Sequence, residues 1–137
     1  MKIGILAVQG DFEAHAAMLE RLGVETVEVR TRTELEGCDG LILPGGESTT
    51  QLQFLQEEGL ADAIAKFAEQ GGAIFGTCAG AILLATEVQN PRQDSLKLLD
   101  MTVLQCVRPA DRQRRGQRPD ESQEGTAGNG FYSRPGY

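Results

Sequence analysis

The chain has 137 residues, 40% of them hydrophobic and 24% charged, with a formal net charge of −7. That length suits one domain with enough chain to bury a core, and the composition is that of a soluble globular protein. The acidic balance argues against nucleic acid or an anionic membrane surface as partner, and no apolar run reaches the length of a membrane span.

Residues 1–104 read as an α/β unit. Lys2 to Val8 is a short run rich in Ile and Val, ended by Gln9-Gly10, as expected of a strand buried on both faces. Asp11 stands at an N-cap position, Phe12, Ala16, Leu19 and Leu22 follow near helical spacing, and Gly23 closes the helix. Val24 to Val29 alternates as a second strand. Gly40 to Leu43 is a third, stopped by Pro44-Gly45-Gly46. Helices are expected over Thr49 to Gln56, broken by Gly59, and over Ala61 to Gln70, ended by Gly71-Gly72. Ala73 to Gly76 is a fourth strand, Ala79 to Thr86 a helix, and Met101 to Leu104 the start of a fifth strand. Strands alternating with helices imply a mostly parallel sheet covered on both faces.

Residues 105–137 have another character. The stretch contains no Leu, Ile or Met, holds six arginines and no lysine, and is dominated by Gly, Pro, Gln and Ser. No helical or strand period survives there, so a disordered tail is expected. Three cysteines, Cys38, Cys78 and Cys106, lack CxxC spacing. Neither a zinc site nor a redox pair is expected, and the odd count fits a reducing compartment. The apolar run from Ile3 to Val8 is too short for the core of a signal peptide. The expected location is the cytoplasm.

Two segments carry chemistry. In Gly76-Thr77-Cys78-Ala79-Gly80 an apolar strand runs into Gly-x-Cys-x-Gly, followed by small helix-forming residues. This is the cysteine counterpart of the Gly-x-Ser-x-Gly elbow, which sets a nucleophile on a sharp strand-to-helix turn with glycines where backbone passes closely. The amide after Cys78 then points toward any oxyanion formed at the reacting carbon. A buried, inert cysteine in a glycine-rich turn is the alternative. In Leu43-Pro44-Gly45-Gly46-Glu47-Ser48-Thr49-Thr50 a strand ends in a Gly-Gly turn and a helix opens. Glu47 and Ser48 could bind a polar substrate there, or simply cap the helix. Together the segments set two loops at the carboxyl ends of strands, where open α/β sheets bind ligands.

These residues, with Ile5-Leu6-Ala7-Val8-Gln9-Gly10 and Leu98-Leu99-Asp100, resemble the class I glutamine amidotransferases, and most nearly those serving as glutaminase subunits of pyridoxal phosphate synthases. The resemblance covers residues 1–104. It implies a flavodoxin-like three-layer fold, incomplete at the C-terminus, that hydrolyses L-glutamine to glutamate and ammonia without a cofactor or metal. It makes Cys78 the nucleophile, the N–H groups of Gly46 and Ala79 the oxyanion hole, and Gly46, Glu47 and Ser48 the glutamine contacts. It puts Gln9-Gly10 near the surface facing the synthase (lyase) subunit, the partner that receives the ammonia.

The resembled family also carries a His-x-Glu motif nearer a longer C-terminus, and an arginine where this chain has Gln105. The only histidine here is His15, expected at a helix surface or facing a partner. Negligible turnover is therefore expected of this chain. A non-catalytic fragment that binds or regulates the synthase, and another elbow-cysteine enzyme of the same fold, remain alternatives.

An out-of-frame translation is the hypothesis for residues 105–137. Codons exist for Cys106 to Arg112 that, read one base later, give Ala-Tyr-Gly-Arg-Gln-Ile. Codons for Gly128 to Tyr137 give Ala-Thr-Val-Phe-Ile-Arg-Ala-Pro-Val in the same shifted frame. The resembled family has similar stretches in that order.

Overall fold

The computed structural model describes residues 1–106. The expectations of a disordered tail and of a shifted reading frame fall almost wholly on residues 107–137, outside that range.

Four parallel strands form the central sheet in the order β2-β1-β3-β4. They are β1 (Lys2–Leu6), β2 (Glu25–Val29), β3 (Gly40–Leu43) and β4 (Ala73–Gly76). Helix α1 (Phe12–Arg21) connects β1 to β2. The four-residue α2 (Arg32–Leu35) precedes β3, α3 (Ser48–Glu57) and α4 (Leu60–Glu69) lie between β3 and β4, and α5 (Ala79–Leu84) follows β4. No helix of the described residues is long and apolar enough to cross a membrane.

The side-chain alternation of the strands sorts the layers. Leu6 of β1, Leu41 and Leu43 of β3, and Ile74 of β4 face one way. They meet Leu35, Leu52, Leu55, Leu60, Ile64 and Leu83 from α2 to α5 in a single cluster. Ile5 and Ile42 point to the other face, where α1 packs on β1 and β2. Phe75 shares that face but lies on edge strand β4, and its side chain is 59% exposed. Both faces of the sheet thus carry helices, the three-layer α/β arrangement the strand–helix alternation predicts.

Glycines end the helices as expected. Gly23, Gly59 and Gly71 all take the left-handed conformation, at φ 72°, 68° and 90°. Asp11 sits at the N-cap of α1, but its side chain makes no capping hydrogen bond. Its backbone N–H instead donates to Gly45 O at 3.0 Å.

The largest departure from the sequence reading follows α5. The helix ends at Leu84, and Ala85 opens a strand, β5 (Ala85–Gln89), where the helix was expected to continue. β5 pairs in parallel with β6 (Leu99–Leu104) as a separate two-stranded sheet. Val88 is buried between the exposed Glu87 and Gln89, a period of two too short to stand out.

Candidate active site

The carboxyl ends of β1, β3 and β4 bring three loops together: Gln9-Gly10, Pro44–Ser48 and Thr77–Gly80. Cys78 stands at the turn between β4 and α5 with φ 48° and ψ −109°, far from any conformation a non-glycine residue prefers. Its side chain is exposed and its thiol is free. The alternative reading had this cysteine buried; it is exposed.

The turn is built by close approach. A Cβ on Gly80 would overlap the carbonyl oxygen of Leu43, so only glycine lets α5 start against the end of β3. Thr77 N–H donates to that same Leu43 oxygen at 3.0 Å, and Gly80 N–H returns to Thr77 O at 2.8 Å. Ala79 is buried as the first residue of α5, and Ile82 N–H donates to Cys78 O at 3.1 Å.

The Pro44–Ser48 loop lies against the elbow. A Cβ placed on Gly45 would stand 3.6 Å from Cys78 Cβ, so the Gly-Gly turn is the neighbour of the nucleophile candidate. Polar side chains hold this loop. Gln9 Oε1 accepts from Glu47 N–H at 2.8 Å. Gln51, fully buried, donates its Nε2 to Gln9 O at 3.0 Å and to Pro44 O at 3.3 Å, while its Oε1 has no partner among the described residues. Gly10 adopts φ 99°, and a Cβ there would overlap Gly45 O.

Glu47 caps α3. Its carboxylate accepts from Thr50 N–H at 2.7 Å, from Thr49 N–H at 3.4 Å and from both threonine hydroxyls. Hydrogen bonds from the hydroxyls of Thr49 and Thr50 and from Thr50 N–H pull its pKa down to about 2. Ser48 is buried, with its hydroxyl 3.0 Å from Gln93 Nε2. Gly46 and Glu47 are exposed, and Gln9 Oε1, Gln51 Nε2 and Gly10 Cα crowd the place a Cβ on Gly46 would take. Glu47 and Ser48 spend side-chain hydrogen bonds on their own surroundings.

His15 lies on α1, none of whose residues is buried. It is half-buried, and its Nε2 lies 3.2 Å from Thr77 Oγ1, beside the candidate nucleophile. Gln51 and Thr77 also went unnoticed in the sequence. A buried glutamine at the fourth position of a helix that starts on a Gly-Gly turn was the available signal. Cys38 is not part of this cluster. It donates to Glu34 O at 3.4 Å, and burial raises its pKa. A cavity of about 580 Å³ lined by Arg32, Cys38, Asp39, Lys66 and Phe67 opens at the amino ends of β3 and β4, the opposite end of the sheet from Cys78.

The sequence profile of the SNO glutamine amidotransferase family matches residues 5–114. The chain belongs to this family. Similar relatives include a pyridoxal 5'-phosphate synthase subunit PdxT of Solibacter usitatus, 54% identical over 102 residues that make up 74% of this chain and 53% of the relative. Another is the PdxT of Deinococcus radiodurans, 51% identical over 108 residues, covering 75% of this chain and 55% of that protein. A crystal structure of a glutamine amidotransferase superposes with TM-score 0.70 at 48% identity, over 74% of this chain and 55% of that one. A peptidase E protein of Listeria monocytogenes reaches TM-score 0.63 at 22% identity, a likeness of fold alone. The chain spans about half the length of the curated relatives it matches.

Proposed function

We propose that this chain is the nucleophile-bearing part of the glutaminase subunit of a pyridoxal 5'-phosphate synthase. The observation that carries the reading is the exposed Cys78 at φ 48°, beside the Gly45-Gly46 turn. Family membership and the identity to PdxT proteins support it.

The Cys78 sulfur attacks the side-chain carboxamide carbon of L-glutamine. The carbonyl oxygen becomes an oxyanion held by the N–H groups of Gly46 and Ala79. The C–N bond breaks as the nitrogen takes a proton, ammonia leaves, and a γ-glutamyl thioester remains. Water then attacks that carbon, the C–S bond breaks, and glutamate leaves with the thiol regenerated. Gly46, Glu47 and Ser48 wall the side of the pocket that receives the glutamine. The capped carboxylate of Glu47, charged across the physiological range, faces solvent there and suits the substrate's ammonium group. No cofactor or metal takes part in these steps.

The synthase (lyase) subunit is the partner that takes the ammonia, through the surface near Gln9-Gly10, and the cytoplasm is the compartment. The 137 residues contain no His-x-Glu pair, and His15 is engaged by Thr77. Acid–base assistance contributes roughly 10²–10⁴-fold in such reactions, so the 137 residues alone turn glutamine over negligibly.

The test is capture rather than turnover. A chloroketone analogue of glutamine should alkylate Cys78, with the adduct located by mass spectrometry, and Cys78→Ser should abolish it. Equal labelling of Cys38 or Cys106, or none at Cys78, sinks the assignment. Glutamate release by the wild-type chain, lost in Cys78→Ser, would overturn only the expectation of negligible turnover.

A further inference from the structure

We infer that His15 is a positioning residue: through its hydrogen bond to Thr77, helix α1 sets the separation between the Cys78 elbow and the Gly45-Gly46 turn. The inference rests on the glutaminase reading for its consequence, though not for its geometry.

Helix α1 touches both loops with one turn of chain. At its start, Asp11 N–H donates to Gly45 O at 3.0 Å, and Gly10 lies so close that a Cβ there would strike that same oxygen. Four residues on, His15 Nε2 meets Thr77 Oγ1 at 3.2 Å. Four residues of α-helix advance about 6 Å along the axis and return to the same face. One rigid turn therefore spans from the oxyanion-hole loop to the residue preceding the nucleophile.

The backbone of Thr77 is already committed, its N–H to Leu43 and its carbonyl to Gly80. Its hydroxyl is the remaining handle. Among the described residues, the bond to His15 is the one side-chain hydrogen bond made to residues 76–80. The strained backbone of Cys78 persists only if its surroundings over-determine it. The elbow is fixed to β3 by backbone contacts, but nothing in those contacts fixes it to the Gly46 amide. That second constraint comes through α1. Capture of glutamine needs the sulfur at the carboxamide carbon while the Gly46 N–H meets the carbonyl oxygen, so a small slip in their spacing costs rate without unfolding the chain.

The experiment uses the full chain with His15→Ala, His15→Gln, Thr77→Val and the double variant His15→Ala/Thr77→Val. Two electrophiles are compared at Cys78. The glutamine chloroketone needs both loops aligned, whereas iodoacetamide needs only an accessible thiol. Capture by the chloroketone should fall roughly 10-fold in His15→Ala and in Thr77→Val, since small misplacements of reacting groups carry penalties up to 10²-fold. The double variant should fall no further, because the two residues act as one link. His15→Gln, whose amide can still reach the threonine hydroxyl, should recover capture to within about two-fold, and iodoacetamide rates should stay within about two-fold throughout.

Amide hydrogen exchange supplies a readout that does not depend on glutamine chemistry. In His15→Ala, exchange should rise together at Gly45-Gly46 and at Ala79-Gly80 while Ile5 and Leu6 in β1 stay protected. Additive losses in the double variant, equal losses with iodoacetamide, or exchange rising in α1 alone would overturn the positioning role. A wild-type chain that ignores the chloroketone sinks the glutaminase reading only, and the exchange pattern still decides the link.

Discussion

The elbow at 76–80 and the loop at 43–48 end neighbouring strands and meet at Cys78, yet they are held by different balances of contact. The elbow is held chiefly by exclusion: Gly80 leaves no room for a Cβ beside Leu43, backbone hydrogen bonds close the turn, and the Thr77 hydroxyl bond to His15 is a lone side-chain tie among the described residues. The loop is held largely by polar side chains: Gln9 and Gln51 reach across it and Glu47 caps the helix it opens, beside the backbone bond from Asp11 N–H to Gly45 O. A turn fixed by exclusion is stiff and intolerant of substitution. A loop fixed by side chains can be loosened one bond at a time. The geometry of Cys78 therefore resides in the elbow, and adjustment of the Gly45-Gly46 turn resides in the loop.

The sharpest way to break this contrast is to remove the side chain of the strained residue itself. Cys78→Gly should abolish chloroketone capture entirely. It should also raise stability by about 1 kcal/mol, because the conformation costs a non-glycine residue roughly 1–3 kcal/mol, less the extra freedom glycine gains on unfolding. Urea denaturation checks the second part. A less stable Cys78→Gly would mean that the elbow stores no strain.

Adding one methyl group on each side tests exclusion directly. Gly80→Ala must displace the Leu43 carbonyl, and should cost about 3 kcal/mol or more, at the upper end for overpacking. Gly45→Ala meets Cys78 Cβ at an ordinary 3.6 Å and should cost under about 1 kcal/mol. Comparable losses in the two variants, measured by thermal denaturation, would erase the distinction between the loops.

On the loop side, Gln51→Met keeps the side chain's length and loses its amide. The carbonyls of Gln9 and Pro44 lose a buried donor, at roughly 1 kcal/mol each. Removing the unpartnered Oε1 offsets part of that loss. A net destabilisation of about 1–2 kcal/mol is expected, with faster amide exchange at Gly45-Gly46 than at Ala79-Gly80. Equal loosening of both turns would place the elbow under the same side-chain control as the loop.

The same contrast explains what the sequence made legible. The elbow could be read because its determinants are local: the end of a strand, two glycines and a cysteine within five residues specify the turn and mark Cys78 as a candidate. The β3 and β4 strands were legible for the same reason, each ending at a glycine signal. The His15–Thr77 link spans 62 positions, and nothing local to either residue announces the other. It exists only once β1 and β4 flank β3 in one sheet. The start of β5 was read as helix because Ala85 and Thr86 continue the pattern of α5, while its partner lies beyond a nine-residue connection. Helix α2 is a single turn, too short for any period to appear. Glu47 was legible as a cap or as a substrate contact, and the hydrogen bonds from Thr49 and Thr50 establish the cap.

That cap gives the smallest of the expected effects and the cleanest pH signature. Hydrogen bonds to Thr49 and Thr50 lower the pKa of Glu47 from 4.5 to about 2 in the folded chain. A carboxylate with a depressed folded pKa contributes stability that is fully present above the unfolded value and is lost as pH falls through the folded one. The contribution of Glu47 should therefore be complete above about pH 4.5 and disappear progressively toward about pH 2. The side chain is exposed, so solvent screens the charge and the cap is worth about 1 kcal/mol, a usual figure for an N-cap, rather than the full value of the shift. Glu47→Gln retains an oxygen that can accept from Thr50 N–H but cannot titrate. Its unfolding free energy should be about 1 kcal/mol lower at pH 7 and converge on the wild-type value near pH 2. Because the elbow takes no support from Glu47, iodoacetamide should label Cys78 at the same rate in both proteins at pH 7. A variant that lowers stability equally at pH 2 and pH 7 would trace the loss to the shape of the amide and leave the charge without a part in holding the loop.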